Sequence, residues 1–185
     1  MDEAQWKTEQ LRLADEARLR GRTERATRTK VHGIIPGHFF SAASTECREL
    51  FIDGHYYGCI SLSQAVAEAL VRYLGDVQRV GARKDPAVRA VRLHKKGAVS
   101  KTAADAFQRI WSHDRNAFHH INETIPTDPG VLEQLAEDCV NALYEIESDV
   151  FAFDIVEGAL VPKHLIYWPK EDSEHLKAFL RLGGY

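Results

Sequence analysis

The sequence lacks the usual signatures of a metal cluster, a disulfide scaffold and a membrane span. Its three cysteines, Cys47, Cys59 and Cys139, stand alone without a CxxC spacing, which argues against a zinc cluster or a disulfide framework and favours a reducing cytoplasm. No apolar run approaches the ~20 residues that a membrane-spanning helix needs, so we expect no association with a membrane. Because the N-terminus, MDEAQWKTEQ, is charged and has no apolar core, we expect no secretory signal.

The overall charge is small, but it is distributed unevenly. A net charge of -3 and a hydrophobic content of 44% over 185 residues are typical of one soluble globular domain. Ten Lys/Arg and three Asp/Glu lie between Arg72 and Arg109, whereas eleven Asp/Glu and one arginine lie between Ile110 and Leu160. Two interpretations stay open: a basic face that binds a polyanion, or two solvated helix faces of opposite sign.

Hydrophobic periodicity and Gly/Pro breaks predict an all-α protein with a helical bundle at its centre. We expect three regions: an N-terminal helical arm (1–35), the bundle (36–150) and a C-terminal tail (151–185). The predicted helices cover 2–30, 38–53, 55–75, 86–96, 101–122 and 131–150. The tail is β-branched and aromatic, and we expect it to form a short hairpin followed by a last helix near 172–181.

The stretch HDRNAFHHIN, residues 113–122, places an arginine, an amide and two adjacent histidines on the predicted helix 101–122. At 100° per residue, the apolar side chains of this helix gather on the side that faces the core: Phe107, Ile110, Trp111, Phe118 and Ile121. Asp114 falls among them, so we expect a structural carboxylate with a partner. Arg115 and His120 lie about 140° apart on a straight helix. Either the helix is distorted near the motif, or two copies of the motif face each other in a homodimer.

These residue types suit RNA cleavage without a metal. The RNA 2′-hydroxyl is a built-in nucleophile. His120 can move protons near neutral pH, Arg115 can stabilise charge on the phosphate, and Asn116 can add a neutral hydrogen bond. A metal site built from His113, His120 and Glu123 is disfavoured because the stretch has no HxxxH spacing, and we expect neither a metal nor a cofactor.

Two interpretations stay open for each of three further residues, one next to the motif histidine and two on the predicted helix 86–96. His119 can assist the reaction or bind RNA, or it can be a plain surface histidine. Lys95 and Lys96 can contact RNA phosphates, which would make binding fall with salt, or they can belong to an exposed turn that favours such residues anyway. Glu68 shares a polar face with Gln64 and Arg72, and we expect this face to contact solvent.

The segment RNAFHH resembles the arginine–polar–x3–histidine signature of HEPN domains (higher eukaryotes and prokaryotes nucleotide-binding). Arg115 matches the motif arginine, Asn116 the polar residue and His120 the motif histidine. The flanks are also similar: CRELFIDGHYYGCISLSQAVAEALVRYL to the first helical hairpin, and VRLHKKGAVSKTAADAFQRIWSHDRNAFHH to the short helix and turn before the motif helix. The resemblance covers roughly residues 40–150. It implies a four- or five-helix bundle that dimerises around the motif and, in many members, a metal-independent endoribonuclease.

The resemblance also implies a biological setting. Such domains act as toxins, in phage defence or in RNA processing, so we expect a cytoplasmic protein with RNA as its substrate and an antitoxin or defence-complex protein as a candidate partner. In toxins paired with minimal nucleotidyltransferase antitoxins, a tyrosine often follows the motif histidine by two, and Asn122 stands there instead, which argues against silencing by AMP transfer. The main alternative is a catalytically silent HEPN dimer that binds a nucleotide or a partner protein. A structural adaptor that uses the N-terminal arm ranks last.

Overall fold

The computed structural model describes residues 2–81, 85–113, 115–172 and 175–181, with the side chains of Arg115 and Asn116 excepted. This part of the chain is mainly helical with two small antiparallel sheets, which agrees with the predicted helical bundle. Its helices are α1 (Glu3–Arg28), α2 (Ser41–Asp53), α3 (Tyr56–Val77), α4 (Pro86–Lys95), α5 (Lys101–Ser112), α6 (Arg115–His120) and α7 (Pro129–Val150). Its strands are β1 (Ile34–Pro36), β2 (Phe153–Val156), β3 (Ala159–Pro162) and β4 (Ala178–Leu180).

The core lies where α3 packs against α2, α5 and α7. α3 buries Ile60, Leu70 and Leu74 completely, and α7 adds Leu143 and Ile146 from the opposite side. Full burial of one such side chain contributes about 1.5–3 kcal/mol, so the side chains buried in this contact stabilise the bundle. No helix among the described residues is both long enough and apolar enough to cross a lipid bilayer.

Local capping explains where α5 and α7 begin and where α2 ends. The side chains of Ser100 and Asp128 accept hydrogen bonds from the backbone N–H groups of Ala103 (3.1 Å) and Val131 (3.0 Å), which begins α5 and α7. Gly54 ends α2 with a φ of 82°, a conformation that favours glycine. The helices predicted at 38–53, 55–75, 86–96 and 131–150 are confirmed as α2, α3, α4 and α7, with ends displaced by three residues or fewer.

Of the two elements predicted for the C-terminal tail, one is confirmed and one is wrong. The hairpin is confirmed: β2 and β3 pair with Ile155 opposite Leu160, and Glu157 and Gly158 both have positive φ, as a tight type I′ turn requires. The last helix at 172–181 is wrong, because β4 lies in that range and pairs antiparallel with β1. The division of the chain at residues 35 and 151 stays a prediction.

A buried ion pair fastens the end of the described chain to the bundle. The guanidinium of Arg181 donates two hydrogen bonds to the carboxylate of Glu147, at 2.6 and 2.8 Å. Ser44 donates to the same carboxylate at 2.5 Å, and Nε of Arg181 donates to the hydroxyl of Thr45 at 3.0 Å. Both charged side chains are almost fully buried, so each neutralises the charge that the other would leave in the interior.

Candidate functional site

The motif helix is interrupted. α5 ends at Ser112, and His113 has an extended backbone with φ -76° and ψ 124°. Asp114, predicted to be a structural carboxylate, lies outside the described residues. The predicted continuous helix 101–122 is therefore wrong, and the chain is distorted just before the motif, which is one of the two alternatives that the sequence leaves open. Arg115 and His120 both belong to α6, however, so the interruption leaves these two helix positions about 140° apart.

Gln64 binds the backbone at the end of α5. Its side chain is completely buried, and Nε2 donates hydrogen bonds to the carbonyls of His113 (2.9 Å) and Ile110 (3.4 Å). Carbonyls at a helix C-terminus lack intrahelical partners, so these bonds stabilise the chain where it leaves the helix. The expectation of a solvent-exposed Gln64 is wrong. The signal was its spacing, four residues after Ile60 and seven before Val71, which places it on the buried face.

One face of α6 packs on the N-terminal half of α3. Phe118 is buried, its ring centroid lies 6.2 Å from that of Tyr57, and its carbonyl accepts a hydrogen bond from Ser61 at 3.5 Å. Ile121 was predicted to face the core and is instead 78% exposed. The reason is that α6 ends at His120 and Ile121 adopts φ 47°, which turns the chain away from the helix.

The motif residues fall together on α6. Arg115 and Asn116 occupy its first two positions, and their side chains lie outside the described residues. His119 and His120 are its last two residues and both are exposed, with His119 engaged in a further contact. The histidine predicted to move protons is therefore open to a substrate that approaches the end of this helix.

His113 has the features of a passive residue. Its ring is half-buried, and Nε2 has no hydrogen-bond partner among the described residues. Burial lowers the pKa of His113 below its usual value, while the charge of Asp138 opposes this shift. Across the described ranges, no three His, Cys, Asp or Glu side chains are grouped so that they could hold a metal ion, and the combination of His113, His120 and Glu123 is no exception.

The two lysines predicted to bind RNA lie away from α6 within one chain. Lys95 is exposed at the last position of α4, and Lys96 donates a hydrogen bond from Nζ to the carbonyl of Gln78. Gln78 caps the C-terminal end of α3, whereas α6 packs near Gln64 and residues before it. Gln64 and Gln78 are 14 residues apart, or about 21 Å along the helix. The structure does not bring these lysines to the motif of the same chain.

The chemistry available at α6 is that of an exposed imidazole with a guanidinium and an amide on the same short helix. Such a set can transfer protons and stabilise a phosphate, but fold alone does not assign an activity. No protein-family model, curated protein or solved structure matches this chain.

Proposed function

We propose that this protein is a metal-independent endoribonuclease of the HEPN type. The observation that carries the proposal is the arrangement of Arg115, Asn116 and His120 on one short helix, with His120 exposed at its end. The resemblance of RNAFHH and its flanks to the HEPN signature supports the same function. The mainly helical fold is compatible with a HEPN bundle of four or five helices.

The reaction needs one proton acceptor and one proton donor. A base takes the proton of the 2′-hydroxyl, the 2′-oxygen bonds to the phosphorus, and the bond from phosphorus to the 5′-oxygen breaks. An acid protonates the departing 5′-oxygen, so the products are a 2′,3′-cyclic phosphate and a 5′-hydroxyl. His120 supplies proton transfer, Arg115 stabilises the charge on the phosphate oxygens, and Asn116 adds a hydrogen bond.

A homodimer solves the geometric problem of the motif. Arg115 and His120 occupy helix positions about 140° apart on α6, so we infer that two copies together bring both residue types to one phosphate. Two copies of α6 on either side of a twofold axis give one cleft with two histidines, one as base and one as acid. The exposure of Ile121, the residue after α6, supports this arrangement because an interface would cover that side chain.

The cellular role follows from the same resemblance. We propose a cytoplasmic toxin or phage-defence effector, held inactive by an antitoxin or a defence-complex protein. Asn122 cannot accept AMP as a tyrosine does, since an amide side chain has no phenolic oxygen. Control of the activity therefore falls to binding of the partner rather than to modification at this position.

A chimeric substrate tests the role of the 2′-hydroxyl. A DNA oligonucleotide with one internal ribonucleotide is incubated with the purified protein, beside an all-DNA and an all-RNA strand of the same sequence. We expect cutting only on the 3′ side of the ribonucleotide, and no cutting of the all-DNA strand. Cutting of all-DNA would overturn the proposed chemistry, and binding of RNA without any cutting would favour the catalytically silent dimer.

A further inference from the structure

A cleft of about 520 Å³ lies between α1 and the turn that joins α2 to α3. Its walls carry three arginines, a histidine and two aspartates: Arg18, Arg22, Arg25, His55, Asp15 and Asp53. No residue of Glu3–Arg28 is buried, so the charged side chains of α1 meet solvent. The sequence shows why this half of α1 is basic: residues 18–30 contain six Lys/Arg and one glutamate.

Contacts with the bundle hold two of the arginines in place. Nε of Arg22 pairs with Asp53 at 3.0 Å, and Nε of Arg25 donates to the carbonyl of Ile52 at 2.8 Å. Arg22 pairs with Asp53, which leaves Arg18, Arg25 and Asp15 as the other charged groups of the lining. Arg25 also interacts with the carboxylate of Glu133 behind it. The lining therefore has one more arginine than aspartates, and the bundle holds Arg22 and Arg25 in place.

The cleft and the motif helix both adjoin the start of α3. His55, on the wall of the cleft, lies two residues before Tyr57, a residue that is 43% exposed. Tyr57 packs against Phe118 of α6 and donates a hydrogen bond to the carbonyl of Pro126 at 3.1 Å. The start of α3 therefore borders the cleft through His55 and contacts α6 through Tyr57. Lys95 and Lys96 lie near the other end of α3, farther from α6 within one chain.

We infer that this cleft binds the backbone of a single-stranded RNA whose next nucleotides reach α6. The inference rests on the proposed function for its substrate. Arginine guanidinium groups are well suited to phosphate oxygens, and an exposed aromatic ring gives a base a surface for stacking. Arg18 and Arg25 contact phosphates, and the ring of Tyr57 stacks on a base between the cleft and the motif.

A matched pair of arginine variants tests the phosphate contact. Arg18→Gln removes a cation from the cleft, whereas Arg20→Gln makes the same change two residues along the exposed helix, where the side chain does not line the cleft. Both are made in His120→Ala, so that RNA is bound but not cut, and binding of a labelled 15-nucleotide RNA is measured by anisotropy in increasing KCl. We expect Arg18→Gln to reduce the salt slope by about 0.7 and the affinity about two- to fivefold, with Arg20→Gln unchanged. Equal effects of the two variants, or none, would overturn the inference.

Cross-linking gives an independent readout. RNA that carries 4-thiouridine is irradiated with the His120→Ala protein, and the modified peptide is identified by mass spectrometry. We expect the peptide with Tyr57, and a weaker signal in Tyr57→Leu than in Tyr57→Phe, because phenylalanine still stacks. Cross-links confined to the region of Lys95 and Lys96 would overturn the inference. These assays measure binding alone, so a protein that binds through the cleft without cutting RNA would refute only the proposed function.

Discussion

The side-chain nitrogen of Gln64 lies 2.9 Å from the carbonyl oxygen of His113 and ties the middle of α3 to the point where the motif helix is interrupted. A buried amide thus holds the backbone between the end of α5 and the six residues of α6. In the proposed enzyme, Gln64 is a positioning residue that acts on Arg115 and His120 through the backbone.

Replacing Gln64 by leucine tests this positioning role. The carbonyls of His113 and Ile110 would lose their partner, which costs about 1–3 kcal/mol where such groups stay buried. We expect kcat for RNA cleavage to fall at least tenfold with little change in KM, because the helix that carries the motif shifts while the binding cleft does not. Gln108→Leu is the matched control, since Gln108 also donates to a carbonyl, that of Ala87, but away from α6. A similar fall in kcat for both variants would contradict the positioning role.

The buried ion pair predicts a large effect on stability. Arg181→Met leaves the carboxylate of Glu147 buried without its cation, and we expect the free energy of unfolding to fall by about 3–5 kcal/mol in urea titrations. The double variant Arg181→Met, Glu147→Leu removes both charges and is expected to recover most of that loss. If the double variant is as unstable as the single one, the loss comes from packing of the tail rather than from the unpaired charge.

Stability should also fall in mild acid because two histidines are held neutral. Burial lowers the pKa of His38 and of His32, against hydrogen bonds from their rings to backbone carbonyls. A folded-state pKa below the unfolded value of about 6.5 means that the unfolded chain binds more protons. The free energy of unfolding is therefore highest above that pH and falls as the pH drops towards the folded-state pKa.

The variant His38→Gln separates the contribution of His38 to the pH dependence of stability from that of other titrating groups. His38→Gln keeps a donor for the carbonyl of Tyr167 but does not titrate. We expect thermal melts of this variant to lose less stability between pH 7 and pH 5 than the parent protein. His164→Gln, at an exposed position, serves as the control. An unchanged pH dependence in His38→Gln would show that His38 does not contribute.

The dimer is tested at Ile121. The variant Ile121→Asp places a charge in the proposed interface, next to α6. We expect it to be a monomer in analytical ultracentrifugation and to show no cleavage in RNA assays. Ile155→Asp makes the same change on the hairpin, where the side chain is 58% exposed, and it should leave the dimer and its activity intact. A parent protein that is fully active as a monomer would contradict the composite cleft.

Local patterns predicted much of the fold. Apolar periodicity and caps such as Ser100 place α3, α7 and the start of α5, because these signals act within one or two turns. The interruption at His113 depends on Gln64, 49 residues away, and the final strand depends on pairing with β1 and on the partner of Arg181. Contacts between residues so far apart in the chain produce no periodic pattern in the sequence.

The sequence likewise predicts part of the candidate site and misses another part. The motif residues are adjacent in the chain, so the sequence alone placed them on one helix. The role of Lys95 and Lys96 was inferred from charge, and charge gives no distance. The length of α3 separates them from α6, and the basic half of α1 lies nearer because the turn at Gly54 brings the start of α3 beside it.

End-group analysis in EDTA shows whether the motif cleaves RNA without a metal. A defined RNA is incubated with the parent dimer, His120→Ala, Arg115→Ala and the neighbouring control His119→Ala. We predict 2′,3′-cyclic phosphate and 5′-hydroxyl ends in EDTA, a loss of about 10²–10⁴-fold for His120→Ala and about 10²–10³-fold for Arg115→Ala, with a much smaller effect of His119→Ala. Cleavage that requires a divalent metal and leaves 5′-phosphates, or RNA that stays intact throughout, would contradict the account.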